Sequence, residues 1–196
     1  SFAPFIKMAP RSSSSFLSTH SSFEAVIFDV DGTLADSIKL GFDATLVILE
    51  KYSIPPISVD EYHAHTRYTT PDRLARHAGL NPEDHPEEFA IKGKQLGQEF
   101  DDLYIDLVSK ETAAFFHGMM DLIRNIPDTV RVGALTNAAG RYAHRVLKVN
   151  DETEWLYQRF GSILGADNVP RPKPHGDGLL QVCSELRVDP GACVYI

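Results

Sequence analysis

The chain has 196 residues, 43% of them hydrophobic and 23% charged, enough for one well-cored α/β domain with a modest insertion. Its formal net charge of -8 excludes nucleic acid as a partner, because phosphate backbones are held by clustered lysine and arginine. No apolar run reaches the length of a membrane span, and Cys183 and Cys193, lacking C-x-x-C spacing, indicate neither a disulfide framework nor a zinc site but fit a reducing compartment.

Residues 1–22 carry Lys7, Arg11 and the run Ser12 to Ser15, with no acidic residue before Glu24. That composition suits a disordered tail, and it is also that of an organelle transit peptide. The expected location is therefore the cytoplasm, with a plastid or mitochondrion as the alternative; no continuous apolar core of a secretory signal is present. The first residue is Ser1, and Met8 offers another start.

Ala25-Val26-Ile27-Phe28 predicts a buried strand that runs into Asp29-Val30-Asp31-Gly32-Thr33-Leu34. Alternate residues of a strand share a face, so Asp29 and Asp31 are expected to project together from its carboxyl end while Val30 faces away. Two like charges at close range oppose each other's ionisation unless a cation or a shared proton joins them. Gly32 permits a tight turn with exposed amides, which suit an anion. Asp29 and Asp31 also match the first two ligands of a calcium loop, but such a loop needs glycine sixth and glutamate twelfth, whereas here Gly32 is fourth and Leu40 is twelfth.

Ile38, Phe42, Thr45 or Leu46, and Leu49 recur at helical spacing and predict a helix ending near Tyr52, before Pro55-Pro56. A second helix is expected over Pro71 to Ala78, stopped by Gly79. From Pro86 to Phe116, residues Phe89, Leu96, Phe100, Leu103 and Leu107 share one face of a long helix in which Gly93 and Gly97 are candidate interruptions. Residues 37–116 thus read as an all-helical insertion. Alternation then resumes: a helix around Met119 to Asn125, a strand Val130 to Thr136, a helix Ala138 to Lys148, a strand Ser162 to Leu164, a helix Gly176 to Leu186 and a strand Ala192 to Ile196. Such alternation indicates a Rossmann-like parallel sheet with right-handed crossovers and a ligand site outside the carboxyl ends of its strands. The expected division is 23–36 with 117–196 as the α/β core, and 37–116 as the insertion.

Thr136-Asn137-Ala138 brings a hydroxyl and amides to a helix start, an anion site that by itself also reads as an ordinary helix cap. Arg171-Pro172-Lys173-Pro174 holds a lysine between prolines that restrict the backbone around it. His63, His65, His77 and His85 lack metal-ligand spacing on a shared helix face and read as surface or packing residues.

In this order the pieces resemble the haloacid dehalogenase-like hydrolase superfamily, from about residue 24 to the last. Asp29-Val30-Asp31-Gly32-Thr33 matches its first motif, and Leu34 with Asp36-Ser37 continues the pattern of its phosphoglycolate phosphatase-like and phosphoglucomutase-like branch. Thr136-Asn137 matches the second motif, Lys173 the third, and residues 37–116 the helical cap. The resemblance implies Asp29 as the nucleophile that forms an aspartyl-phosphate and Asp31 as the general acid and base. It implies backbone contacts from Val30 and Gly32, phosphoryl contacts from Thr136 and Asn137, and charge neutralisation by Lys173. It also implies magnesium held by the Asp29 carboxylate and the Asp31 carbonyl. Phosphate chemistry rather than dehalogenation is implied by the aspartate at position 31.

Electrostatics makes the same demand. A carboxylate within about 4 Å of a phosphoryl charge costs on the order of 4 kcal/mol per charge pair at an effective dielectric near 20. Lys173 alone does not balance that, so a divalent cation, Mg2+, is expected. The family's fourth motif, Gly-Asp with a further acidic residue, is expected just past Val194-Tyr195-Ile196, so the core is expected to be incomplete at its carboxyl end. Arg67, in His65-Thr66-Arg67-Tyr68-Thr69-Thr70, is the candidate for pairing with a substrate carboxylate or second phosphate. The expected partner is a small phosphorylated metabolite and the expected activity phosphomonoester hydrolysis; a phosphomutase and a non-catalytic protein of the same fold are the alternatives.

Overall fold

A computed structural model describes residues 23–151 and 153–196. The expected tail or targeting segment, 1–22, lies outside the described residues.

Four strands, β1 (Ala25–Phe28), β2 (Arg131–Leu135), β3 (Phe160–Leu164) and β4 (Cys193–Tyr195), form one parallel sheet in the order β3-β2-β1-β4. The fold is the expected α/β class. In β1, Ala25 and Ile27 pack with Leu135 and Leu164 on one face of the sheet, while Phe28 joins Val132 and Ala134 on the other. Both faces are covered, which is why the strand is apolar at every position. Phe28 pairs with Ala134, so the chain leaves β1 at Asp29 and β2 at Thr136 side by side. The Asp29 amide extends the ladder by donating to the Ile196 carbonyl at 2.8 Å.

Between β1 and β2 the chain forms α1 (Ile38–Lys51), α2 (Val59–His65), α3 (Thr70–His77), α4 (Pro86–Leu107) and α5 (Met119–Asn125). Beyond β2 come α6 (Gly140–Val149), α7 (Trp155–Arg159) and α8 (Asp177–Leu186). The buried face of α1 is Leu40, Ala44, Thr45, Ile48 and Leu49, rotated from the Ile38 and Phe42 line that spacing suggested. Helix α2 was not expected, although Ser58 and Glu61 form a reciprocal capping box.

Helix α4 ends at Leu107, short of Phe116. Val108 is extended, and Thr112 Oγ1 accepts from the Ser109 amide and donates to the Leu107 carbonyl, so polar groups close the helix there. Leu107 is consequently exposed rather than on the buried face. Gly93 and Gly97 do not interrupt α4. They let α3 approach it: a Cβ on Gly93 would meet the Pro71 carbonyl oxygen at 2.7 Å, and one on Gly97 the Pro71 ring at 3.1 Å.

The chain enters α1 and returns from α4 side by side. The Asp36 amide donates to the Ala114 carbonyl and the Phe116 amide to the Leu34 carbonyl, forming a short antiparallel ribbon around Ala35 and Phe115. Cys183 and Cys193 are free thiols with sulfurs 3.5 Å apart. Among the described residues no helix is long and apolar enough to cross a membrane.

Candidate active site

At the carboxyl ends of β1 and β2 lies a cavity of about 910 Å³, lined from the sheet side by Asp29, Asp31, Thr136, Asn137 and Lys173 and from the helical side by Arg67, Arg73 and Tyr104 among others. The topology accounts for the convergence, since β1 and β2 are neighbours and the loop before α8 crosses their ends.

Asp29 sits at the floor. Its Oδ1 accepts from Lys173 Nζ at 2.8 Å and from the Val30 amide at 2.8 Å, which leaves Oδ2 for a ligand. Burial pushes its carboxyl above the usual aspartate value, with the Lys173 charge opposing. Burial pulls the Lys173 ammonium down, but the Asp29 carboxylate and the Tyr195 hydroxyl outweigh it and leave its pKa raised. Lys173 Nζ also donates to Tyr195 Oη at 2.8 Å, so its position is fixed from two sides.

Asp31 lies in a cage of hydroxyls. Its Oδ1 accepts from Ser37 Oγ at 2.6 Å, Tyr142 Oη at 2.6 Å and Tyr104 Oη at 3.1 Å, and its Oδ2 accepts from Thr136 Oγ1 at 3.0 Å. Ser37 is the residue before α1, yet its hydroxyl caps no helix amide and goes to Asp31 instead. Both tyrosines are buried, which together with the Asp31 charge raises their phenols well above the ordinary value.

Thr136 is buried, and its Oγ1 also accepts from the Ala138 amide at 3.0 Å, so it serves as a local cap and a carboxylate donor together. The Asn137 side-chain amide donates to the Arg67 and Lys173 carbonyls, each at 3.1 Å, while its Oδ1 is buried without a partner. The Asn137 main-chain N–H makes no hydrogen bond among the described residues and is available to an anion. Arg67 is exposed at the cavity rim, where its guanidinium lies over the Tyr68 ring and Nη2 donates to Tyr68 Oη at 2.9 Å.

Gly32 departs from expectation. It adopts φ +74, its amide donates to the Ala35 carbonyl at 3.0 Å, and it does not line the cavity. Its part is the left-handed turn that ends the strand. The Val30 amide is likewise engaged by Asp29, and the Val30 side chain is fully buried in the core. Neither residue has a free N–H to offer a ligand in this arrangement.

The donor set suits magnesium in kind. The Asp29 carboxylate and the Asp31 carbonyl, which accepts no main-chain hydrogen bond, are hard oxygen donors. Among the described residues no group of three or more His, Cys, Asp or Glu forms a metal cage. Two protein oxygens fit an ion that keeps most of its waters. His65 and His77 meet through their Nδ1 atoms at 3.3 Å, and burial pushes His77 down to about 4, as befits a packed neutral ring.

Ser37, Tyr104, Tyr142 and Arg73 were not singled out from the sequence as site residues. The one available signal was a tyrosine hydroxyl on an otherwise apolar helix face, which must find a partner when buried.

An aspartate paired with a lysine, with a second aspartate two residues on, lies at the carboxyl ends of strands in a parallel α/β sheet, where the ligand sites of this class of fold are found. The chain belongs to the haloacid dehalogenase-like hydrolases, whose family model matches residues 26–196. It is 27% identical over 174 residues to the N-acetylmuramic acid 6-phosphate phosphatase of Pseudomonas aeruginosa, covering 88% of this chain and 72% of that protein. It is 27% identical over 172 residues to a phosphoglycolate phosphatase of Chromobacterium violaceum, covering 85% and 72%. In fold it resembles CbbY from Rhodobacter sphaeroides, solved with phosphate, at a TM-score of 0.72 and 22% identity over 88% of this chain and 76% of that one. A hydrolase from Pseudomonas syringae aligns at a TM-score of 0.66 and 19% identity, over 87% and 73%.

Proposed function

We propose that this protein hydrolyses small organic phosphomonoesters through an aspartyl-phosphate on Asp29. The observation that carries this reading is the Asp29 carboxylate, with Oδ1 held by Lys173 and the Val30 amide and Oδ2 left for attack. The phosphatase names of the relatives in Pseudomonas aeruginosa and Chromobacterium violaceum support the reaction class.

In this reading Asp29 Oδ2 attacks phosphorus and the ester P–O bond breaks. The leaving oxygen takes its proton from Asp31. Water then attacks the phosphoryl group, gives a proton to Asp31, and phosphate departs as the bond to Asp29 breaks. Oδ2 of Asp31 is the oxygen suited to carry the proton, because it faces one donor where Oδ1 faces three. Lys173 and the Asn137 main-chain N–H receive phosphoryl oxygens, and Thr136 orients Asp31. The Asp29 carboxylate and the Asp31 carbonyl would hold Mg2+, which when bound supplies positive charge against the phosphoryl oxygens. Residues 37–116 act as a cap over the site, with Arg67 at its rim facing the substrate.

The test is release of inorganic phosphate from a panel of phosphomonoesters, with and without magnesium, by the protein and by Asp29→Asn. Release that needs magnesium and disappears in the variant is the expected result. Release that survives Asp29→Asn would rule out the aspartyl-phosphate.

A further inference from the structure

The chain has two cysteines, and the fold brings both to one point. Cys183, on α8, is 3% exposed, while Cys193, the first residue of β4, is half-buried. Cys183 Sγ donates to Cys193 Sγ at 3.5 Å, and Cys193 Sγ donates to the Asp189 carbonyl at 3.2 Å. Both pack in the same apolar cluster as Ala25, Ile27, Leu135 and Val182 on one face of the sheet, so neither sulfur is on a loose segment.

Strand β4 is three residues long, lies at the edge of the sheet and pairs only with β1. Among the described residues the contact between the two thiols is the one hydrogen bond that joins β4 to α8. A disulfide needs sulfurs about 2.05 Å apart, so each sulfur has less than about 1 Å to travel. Groups held in contact react with each other at an effective concentration well above that of the same groups on a flexible chain.

We propose that Cys183 and Cys193 form a reversible dithiol-disulfide site, which a low-molecular-weight disulfide such as glutathione disulfide oxidises and which then bonds β4 to α8. Cys193, the more accessible thiol, attacks one sulfur of the oxidant, and the first glutathione leaves with the Cys193 proton. Cys183 then attacks the Cys193 sulfur of the mixed disulfide, and its proton goes to the second glutathione as that leaves. Two protein thiols are oxidised and one glutathione disulfide is reduced to two thiols, with no other reactant.

Partial burial, the Cys183 thiol and the carboxylates of Glu24 and Asp189 push the Cys193 thiol up to about 12. Little thiolate is present at neutral pH, and a thiol of high pKa also leaves a disulfide slowly. The site therefore answers to sustained oxidation rather than to a brief pulse. Its place in the fold is behind Lys173: the loop before α8 carries that lysine, and Tyr195 of β4 receives its ammonium at 2.8 Å. Oxidation fastens together the two elements that flank it.

The test equilibrates the full chain with mixtures of reduced and oxidised glutathione, in native buffer and in denaturing urea, and reads the disulfide fraction by alkylation and mass spectrometry. The effective concentration of the pair should be at least ~10-fold higher in the folded chain than in the unfolded one, and dithiothreitol should restore both thiols. The disulfide then favours folding by the same factor, because the two equilibria close one cycle. In native buffer Cys183→Ser should take up one glutathione on Cys193, whereas Cys193→Ser should leave Cys183 unmodified. A smaller margin between folded and unfolded chain, or a parent protein that accumulates the mixed disulfide with glutathione, overturns the proposal. Glutathione on Cys183 of Cys193→Ser overturns the order of attack.

Discussion

Tyr104 and Tyr142 stack with ring centroids 4.2 Å apart, and both hydroxyls reach the same carboxylate oxygen of Asp31. One comes from α4 of the helical insertion and the other from α6 beside the sheet, so the two halves of the site meet on one atom. Hydrogen bonds to a charged group are worth about 1.5–3 kcal/mol each. Tyr142→Phe should lower kcat for phosphate release by about 10-fold or more, and Tyr104→Phe by less, because its bond is longer. Their effects should combine to less than the product, since the two share an acceptor. Steady-state kinetics of the two single variants and the double variant check this; a kcat within twofold in both single variants sinks it.

The pH profile should carry the signature of Asp29. Burial raises its carboxyl and Lys173 opposes, and in the proposed reaction only the ionised carboxylate can attack. Activity should therefore fall on acidification through a value above the usual ~3.9 of aspartate. Lys173→Met removes the opposing charge, so the acid limb of kcat/KM should move further up. A limb that stays put or moves down contradicts the arrangement.

Asp101 affects stability rather than turnover. Burial pushes it up to about 6 from 3.8, so the folded state binds the proton more tightly than the unfolded one. The stability it contributes is fully present below about pH 4 and is lost as pH rises through 6. Asp101→Asn should therefore stabilise the protein at pH 7.5 by on the order of 2 kcal/mol, with the advantage fading toward pH 4. His77, depressed to about 4, works in the opposite sense: its contribution is present above about pH 6.5 and is lost as pH falls through 4. In the Asp101→Asn protein, stability should accordingly drop on acidification across that window. Urea melts at pH 4, 5.5 and 7.5 measure both.

Gly93→Ala has a sign that helix propensity alone gets wrong. In an open helix alanine gains about 1 kcal/mol over glycine. Here the new methyl would meet the Pro71 carbonyl oxygen at 2.7 Å, and backbone cannot rotate away as a side chain can. A net loss of about 1–3 kcal/mol is expected, read as a lower Tm; a raised Tm would show that α3 and α4 are free to part.

The fold class was legible because parallel strands covered on both faces are apolar throughout, as β1 is, and because helical spacing marks α1, α3 and α4 between β1 and β2 even where it misplaces the buried face of α1. The pattern also put Asp29 and Thr136 at carboxyl ends of strands, but that the two strands are neighbours, and in which register, comes from the structure. Less was legible where polar groups decide. The end of α4 at Leu107 depends on hydrogen bonds among Leu107, Ser109 and Thr112, which hydropathy does not register. Gly32 was expected to lend its amide to a ligand, but a tight turn also needs that amide, and Ala35 takes it. Tyr104 hid on an apolar face because a phenol ring packs as phenylalanine does until its hydroxyl is considered. Arg73 escaped notice for the opposite reason: a charge on a helix is ordinarily read as solvated, and only tertiary packing buries it against Phe100 and Tyr62.

Asn137 gives its side-chain amide to the Arg67 carbonyl on one side and the Lys173 carbonyl on the other. The helices that contribute Arg67 join the sheet through the ribbon in which Asp36 pairs with Ala114 and Phe116 with Leu34. Rotation of those helices about the ribbon would therefore part Asn137 from Arg67 and leave its bond to Lys173 in place. A neutral hydrogen bond is worth about 1 kcal/mol net, so this latch is weak by design of its chemistry. It is one of several ties across that boundary: the Tyr104 bonds to Asp31 and Tyr142, the Arg141–Asp102 ion pair and the core that the helices share with the sheet would have to part with it before the helices lift from Asp29.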